Sequence, residues 1–295
     1  MLAFIPSVLL AAALAGSAPA EAQGTPPANP DSDVTVTGTL EREQEIRDFV
    51  RALTPGPMTG QLARFEESIC PAVYGMSGPL KEAVVNRMRL VAEAVGLTVA
   101  RGNCRPNVLL MVTRDKRALI EQLLRSHPQF FGEEPENSPR RIVAEPGPAA
   151  AWHATVALNA DGRAMPARSG FLINQTSRGG SRIVQPTRPV FFAAAVVVER
   201  RALEGLTTIQ LADYALMRAL ARIDPTRVPP SSPRTILSVL EAPMGTEIPI
   251  TITRWDLGFL RGLYASTPNL RTTQQRGEIQ GRVAAELDRP EGARN

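Results

Sequence analysis

Apolar residues along the chain recur with two spacings, and each spacing predicts a kind of element. Arg42 to Leu53 places Ile46, Phe49, Val50 and Leu53 on one helical face and stops before Pro55-Gly56-Pro57. Leu80 to Val95 aligns Leu80, Val84, Met88, Val91 and Val95, with Gly96 as the stop. Leu97 to Ala100 and Asn107 to Thr113 follow as strands, the second an unbroken apolar run of the interior type. Asp115 to Leu124 reads as a further helix. Trp152 to Leu158 is a strand closed by an Asn159-Ala160-Asp161-Gly162 turn, between irregular stretches at 131–150 and 160–189. The most strongly patterned stretch comes next. Val190 to Val198 is continuously apolar, stops at Glu199-Arg200-Arg201, and gives way to a helix whose start is marked by a Thr207/Gln210 capping box and a Leu206/Leu211 staple. Ile209, Ala212, Leu216, Ala219 and Ile223 then share a face. A Pro-rich turn at Asp224 to Pro233 leads to a short apolar segment, Arg234 to Leu240. A helix capped by Thr253 and Asp256 runs to Tyr264, and a last helix, Thr272 to Leu287, aligns Ile279, Val283 and Leu287. No internal repeat is present. Helices and strands mixed in this order make the chain α+β.

The first forty residues read differently. Residues 2–15 are an apolar run followed by Ala18-Pro19-Ala20 and Ala20-Glu21-Ala22, both small-x-small, so 1–22 is expected to be a secretory signal peptide cut after Ala20 or Ala22. Residues 23–33 form a Pro-rich linker, and Asp33-Val34-Thr35-Val36-Thr37-Gly38 is similar to the energy-coupling segment of outer-membrane receptors. With no barrel after it, 23–40 is expected to be a linker with an edge strand or tail, 41–288 a single domain, and 289–295 a tail. Export changes the reading of the two cysteines. Cys70 and Cys104 form an even pair in an oxidising compartment and are expected to be disulfide-bonded. The expected location is periplasmic or secreted, with no membrane span once the signal is removed.

A chain of 295 residues with 43% hydrophobic residues can bury a substantial core. Its net charge of +4 comes mainly from arginine, interleaved with Glu and Asp, and aromatics are 5% of the residues. No basic run alternates with aromatic side chains, which argues against a nucleic-acid partner. There is no G-x-S-x-G elbow, no Gly-rich phosphate loop and no S-x-x-K ending at Lys81 or Lys116.

The order of elements nevertheless resembles a zincin-like, matrixin-type peptidase domain, close to a family of secreted bacterial proteins of unknown function. The helix and two strands at 80–113 are similar to the family's first helix and sheet, and strand 190–198 with helix 207–223 to its metal-binding element. Thr235-Ile236-Leu237 stands where such enzymes turn beneath the metal, and Ile252-Thr253-Arg254-Trp255-Asp256 through Leu260-Arg261-Gly262-Leu263-Tyr264 resembles their closing helix. The resemblance implies a twisted mixed sheet, a long helix, a central helix of the metal-site type and a helical C-terminal part.

The metal motif H-E-x-x-H does not carry over. Aligning Ala219-Leu220 with the family's motif puts Asp213 and Met217 at the histidine positions and Tyr214 at the glutamate. Zinc needs lone-pair donors and a base beside its water, and methionine and tyrosine supply neither well. The two histidines, His127 and His153, read as surface or packing residues, and Asp213, Asp224 and Glu199 are at best a weak carboxylate set for a hard cation. No catalytic residue, metal or cofactor is therefore expected. The expected role is a non-catalytic zincin-like scaffold binding a peptide or protein in the periplasm. The alternatives are a hydrolase or metallopeptidase-like enzyme with an unconventional site, and a structural or assembly component of the cell envelope.

Overall fold

The computed structural model of the chain describes residues 30–56, 60–131, 138–177, 179–181, 183–229, 234–243 and 245–290. The chain divides into two units, Met1–Leu40 and Glu41–Asn295. Of the first unit the described part is the opening of helix α1 (Pro30–Leu53). The linker and edge strand expected at 23–40 are corrected here for 30–40, which are helical; 23–29, like the signal peptide at 1–22, lie outside the described residues. Adding residues to an existing helix avoids the cost of nucleation, so a Val/Thr run that reads as strand in isolation can join one. Proline suits the first position because its missing N–H is unbonded there anyway.

The second unit continues with β1 (Arg64–Phe65), β2 (Pro71–Tyr74), α2 (Gly78–Val95), β3 (Val108–Thr113), α3 (Lys116–Ser126), α4 (Pro139–Val143) and β4 (Ala149–Asn159). A small hairpin, β5 (Ala167–Arg168) and β6 (Phe171–Leu172), precedes the long strand β7 (Thr187–Glu199). Helices α5 (Thr208–Leu220), α6 (Arg254–Ala265) and α7 (Thr272–Asp288) complete it. The α+β expectation is met by a mixed sheet in which β2, β3 and β7 are parallel and β4 runs antiparallel along the other side of β7. β1 pairs with the start of β7, and a single parallel bridge joins Ile69 to Val99 beyond β2, where a full strand was expected at 97–100.

The C-terminal half of β7 is apolar because both its faces are covered there. Ala194, Val196 and Val198 join the larger core with α2 and α5, while Ala195 and Val197 join a second cluster with Ile120, Phe131, Ile142 and Trp152. β3 alternates likewise, with Val108, Leu110 and Val112 in the larger core. In α2, Val84, Met88, Val91 and Val95 are buried as their spacing predicts, whereas Leu80 is 59% exposed in the first turn. α5 departs further from its predicted single face: every residue from Gln210 to Leu220 is buried, and only Ile209 at the N-terminal end is open. It lies among α2, α6, β4, β7 and the 3-10 turn Ile236–Leu240. Both predicted capping boxes form, Thr207 with Gln210 and Thr253 with Asp256. Cys70 and Cys104 are disulfide-bonded, with Cα atoms 6.1 Å apart, fixing the strand β2 to the loop before β3.

Candidate functional site

The residues at the degenerate motif positions face no cleft; all of them are packed away. Asp213 is 0% exposed on α5. Its Oδ1 accepts from Arg87 Nε at 2.6 Å, and its Oδ2 from Arg87 Nη2 at 2.8 Å, Thr251 Oγ1 at 2.8 Å and the Ile252 N–H at 2.7 Å. Arg87 reaches it from α2, and the same Nη2 also donates to Thr251 Oγ1 at 2.7 Å. A planar guanidinium and a carboxylate joined in this two-pronged way form a directional, charge-assisted contact. It fastens α5 to α2 and to the segment entering α6. Met217 lies in the apolar core with no exposed surface.

Tyr214, at the position of the catalytic glutamate, belongs to a second buried network. Its hydroxyl accepts from Arg218 Nη1 at 2.8 Å, one helical turn on, and Arg218 Nη2 donates to Glu145 Oε1. Glu145 Oε2 in turn accepts the N–H of Ala151, near the start of β4. Beside this pair the Lys116 ammonium donates to the carbonyls of Glu145, Gly147 and Ala149 at 2.6, 2.7 and 3.1 Å. Three carbonyls satisfy all its donors. Burial pushes the Lys116 amine down, against the pull of Glu145, Glu199 and Glu241. Burial works against the Arg218 charge, but Tyr214 and Glu145 outweigh it and hold the guanidinium above its ordinary range. Burial also pushes the Tyr214 phenol up, so its hydroxyl stays protonated and serves as an acceptor for Arg218 rather than as a base. The cluster joins α3, β4 and α5.

The other candidates are dispersed. Glu199 Oε1 accepts the Lys116 N–H and its Oε2 pairs with Arg201, whereas Asp224 caps the 3-10 turn at 225–227 through Thr226. With Asp213 bound to Arg87, the structure does not bring the three carboxylates together. Among the described residues no group of three or more His, Cys, Asp or Glu side chains is arranged to hold a metal ion. His127 is exposed and stacks on Phe130. His153 is buried against Phe191, with Nε2 3.1 Å from the Ala219 carbonyl. Burial, with Arg222 and Arg218 adding, lowers it to about 3 and keeps the imidazole neutral.

An open concavity lies elsewhere, beyond the carboxyl ends of β3 and β7, which is where ligands of sheets with parallel strands characteristically bind. A cleft of about 580 Å³ opens there between the first turns of α2 and α5. Its apolar wall is Met76, Leu80, Val112, Leu203, Leu206 and Leu211, and Arg114, Arg200 and Arg201 line it opposite a lone acid, Glu204. Arg200 is steadied by a 2.6 Å bond to the Gly75 carbonyl and Arg201 by Glu199. The Arg114 guanidinium has no partner among the described residues. Gly75 is required at that corner: at φ +75 it lies so near the end of β3 that a Cβ would stand 1.9 Å from the Val112 carbonyl oxygen. Sequence reasoning marked Arg200-Arg201 only as the end of a strand. The available signal was that arginines follow both apolar runs, at 114 and at 200–201, and adjacent parallel strands bring their ends together. No protein family, curated protein or solved structure matches the chain.

Proposed function

We propose that the chain is a non-catalytic scaffold of the zincin-like type that acts outside the cytoplasm by binding a peptide or protein segment. The strand order supports the zincin-like part of this reading. Val99, β2, β3, β7 and then antiparallel β4 succeed one another across the sheet, and β7 leads through one short link into α5. The turn at Ile236–Leu240 lies against α5, and α6 closes the core, as the resemblance implies. The disulfide supports an oxidising location.

One observation carries the non-catalytic part. The two polar side chains at the motif positions are enclosed and already bonded, Asp213 to Arg87 and Tyr214 to Arg218. A group that must activate water needs access to it and a free lone pair. Binding is left to the cleft at the strand ends, whose apolar wall and arginine rim suit a segment carrying apolar side chains beside Asp or Glu. Peptide display against the purified protein tests this. Enriched peptides should combine apolar and acidic residues, and Arg114→Glu with Arg200→Glu should weaken them at least ~10-fold, a change of about 1.4 kcal/mol. Enrichment of basic peptides, or affinity indifferent to the charge reversal, refutes the cleft assignment. A stoichiometric zinc ion in metal-replete protein refutes the scaffold reading itself.

A further inference from the structure

Between Asp161 and Glu199 the sequence holds five arginines and no acidic side chain. The same stretch exposes large apolar side chains: Phe171 is 75%, Leu172 62% and Ile183 58% open to solvent. Phe171 and Leu172 make up β6, paired with β5 across Ser169-Gly170. Both turn residues have positive φ, 52° and 82°, the mirror-image turn whose twist matches the flanking strands and closes a tight hairpin. Ser169 adopts that backbone without glycine's freedom, against a steric penalty.

The hairpin is anchored at its base. The Ile173 N–H donates to the Pro166 carbonyl at 2.9 Å, and the Asn159 amide to the Gln175 carbonyl. The Asp161 carboxylate accepts from the Ser177 N–H at 2.7 Å and its hydroxyl at 2.9 Å, so the one nearby acid is turned toward the anchor. The guanidinium groups of Arg163 and Arg168 are exposed and unpartnered among the described residues, Arg168 standing directly across from Phe171. Arg188 is instead paired with Glu66 at 2.6 Å.

An anchored apolar tip with the free Arg168 beside it and the free Arg163 toward its base, in a stretch holding no acidic residue from 162 to 198, is complemented by a surface that offers hydrocarbon and negative charge together. We infer that the β5–β6 hairpin seats on a lipid bilayer bearing anionic headgroups, with Phe171 and Leu172 entering the acyl boundary and Arg163 and Arg168 meeting the phosphates. Two apolar side chains and a few cations give peripheral, reversible attachment. The inference is independent of what occupies the cleft.

The test is flotation of the full chain with extruded vesicles of phosphatidylglycerol and phosphatidylcholine, against vesicles of phosphatidylcholine alone. Each is compared with a Phe171→Asp/Leu172→Asp variant and with Arg163→Gln/Arg168→Gln. Any contribution of the apolar residues 2–15 is common to all three proteins, so the reading is the ratio between them. Preferential binding to the anionic vesicles, weakened at least ~10-fold by the tip variant and severalfold by the arginine variant or by raised salt, is the expected result. Circular dichroism establishes that each variant is folded, and in a Phe171→Trp chain the emission should shift to the blue on anionic vesicles only. Equal binding by the tip variant overturns the inference. So does an absence of binding to anionic vesicles, including the case where sedimentation shows the hairpin pairing two copies of this chain instead.

Discussion

If Asp213 is a structural anchor, removing it should cost stability in a way that depends on Arg87. Asp213→Ala deletes four contacts, the two from Arg87 and those from Thr251 Oγ1 and the Ile252 N–H. Breaking a buried ion pair from one side costs about 3–5 kcal/mol, because the surviving partner is left desolvated. Arg87 is 27% exposed, so its guanidinium can recover water, and the lower end applies, about 3 kcal/mol. Arg87→Ala should cost as much or more, since it strands a carboxylate with no exposed surface. For a unit of this size each kcal/mol moves Tm by roughly 2–4 °C, so each variant should melt about 6–12 °C lower. Urea unfolding followed by circular dichroism on both single variants and the double variant gives the coupling, expected near ~2 kcal/mol. Single costs below about 1 kcal/mol with no measurable coupling would refute the reasoning, for the carboxylate would then be free for other work.

Four further outcomes follow from particular residues. Asp256 is fully buried, and burial pushes its carboxyl up to about 6 against hydrogen bonds from Ile236, Thr235 and Thr253. Its folded value lies above the ordinary 3.8, so its contribution is full at low pH and is lost as pH rises through the folded value, by about 2–3 kcal/mol; Asp256→Asn should flatten urea midpoints measured across that window. Tyr214→Phe strands the Arg218 Nη1 donor and should cost about 1–2 kcal/mol, read as a lower Tm, with no effect meaning that the guanidinium finds another acceptor. Glycines in the last two helices should split by sign. A Cβ at Gly258 or Gly262 would stand 2.8 Å from the Cα of Val283 or Ile279, so alanine there should destabilise by about 1–3 kcal/mol, whereas Gly277→Ala and Gly281→Ala meet nothing within 4 Å and should each raise stability by about 0.5–1 kcal/mol. Replacing Cys70 and Cys104 by serine opens a loop of sequence separation 34 and should lower stability by about 3–4 kcal/mol, detectable in the same urea titrations.

Much of the fold was legible because its signals are local. A capping box needs only residues three apart, and both were visible at Thr207/Gln210 and Thr253/Asp256. The continuous Val190–Val198 run marked a strand, and from Ala194 to Val198 its residues alternate between two cores. Where the reading failed, distant structure had overruled a local preference. The Val/Thr run at 34–37 carries strand propensity yet lies within α1, and the 160–189 stretch, read as irregular, contains a hairpin turned by Ser-Gly rather than by Asn-Gly. Leu80 matched the buried face of α2 by spacing but lines the cleft, because the helix begins at the rim where the strands end.

The candidate site was legible only as a vacancy in a motif, and the reason is physical. An almost wholly buried helix such as α5 holds Asp213 and Arg218 where water does not reach, and buried charges demand partners. Sequence therefore states that a partner exists without saying what it is. A metal, a substrate and a side chain from another element would all satisfy the same carboxylate. In this chain the partners come from far along the sequence, Arg87 for Asp213 and Glu145 for Arg218, separations of 126 and 73 residues. Both are arginine–carboxylate contacts, and both tie α5 to other parts of the fold. α2 is secured through Arg87 and the start of β4 through Glu145. Among the described residues, the exposed guanidinium groups without a side-chain partner include Arg114 at the rim of the cleft, and Arg163 and Arg168 of the segment that carries the exposed hairpin. The interior charges of α5 are thus answered within the chain, Asp213 by Arg87 and Arg218 by Glu145, whereas these three guanidinium groups face outward.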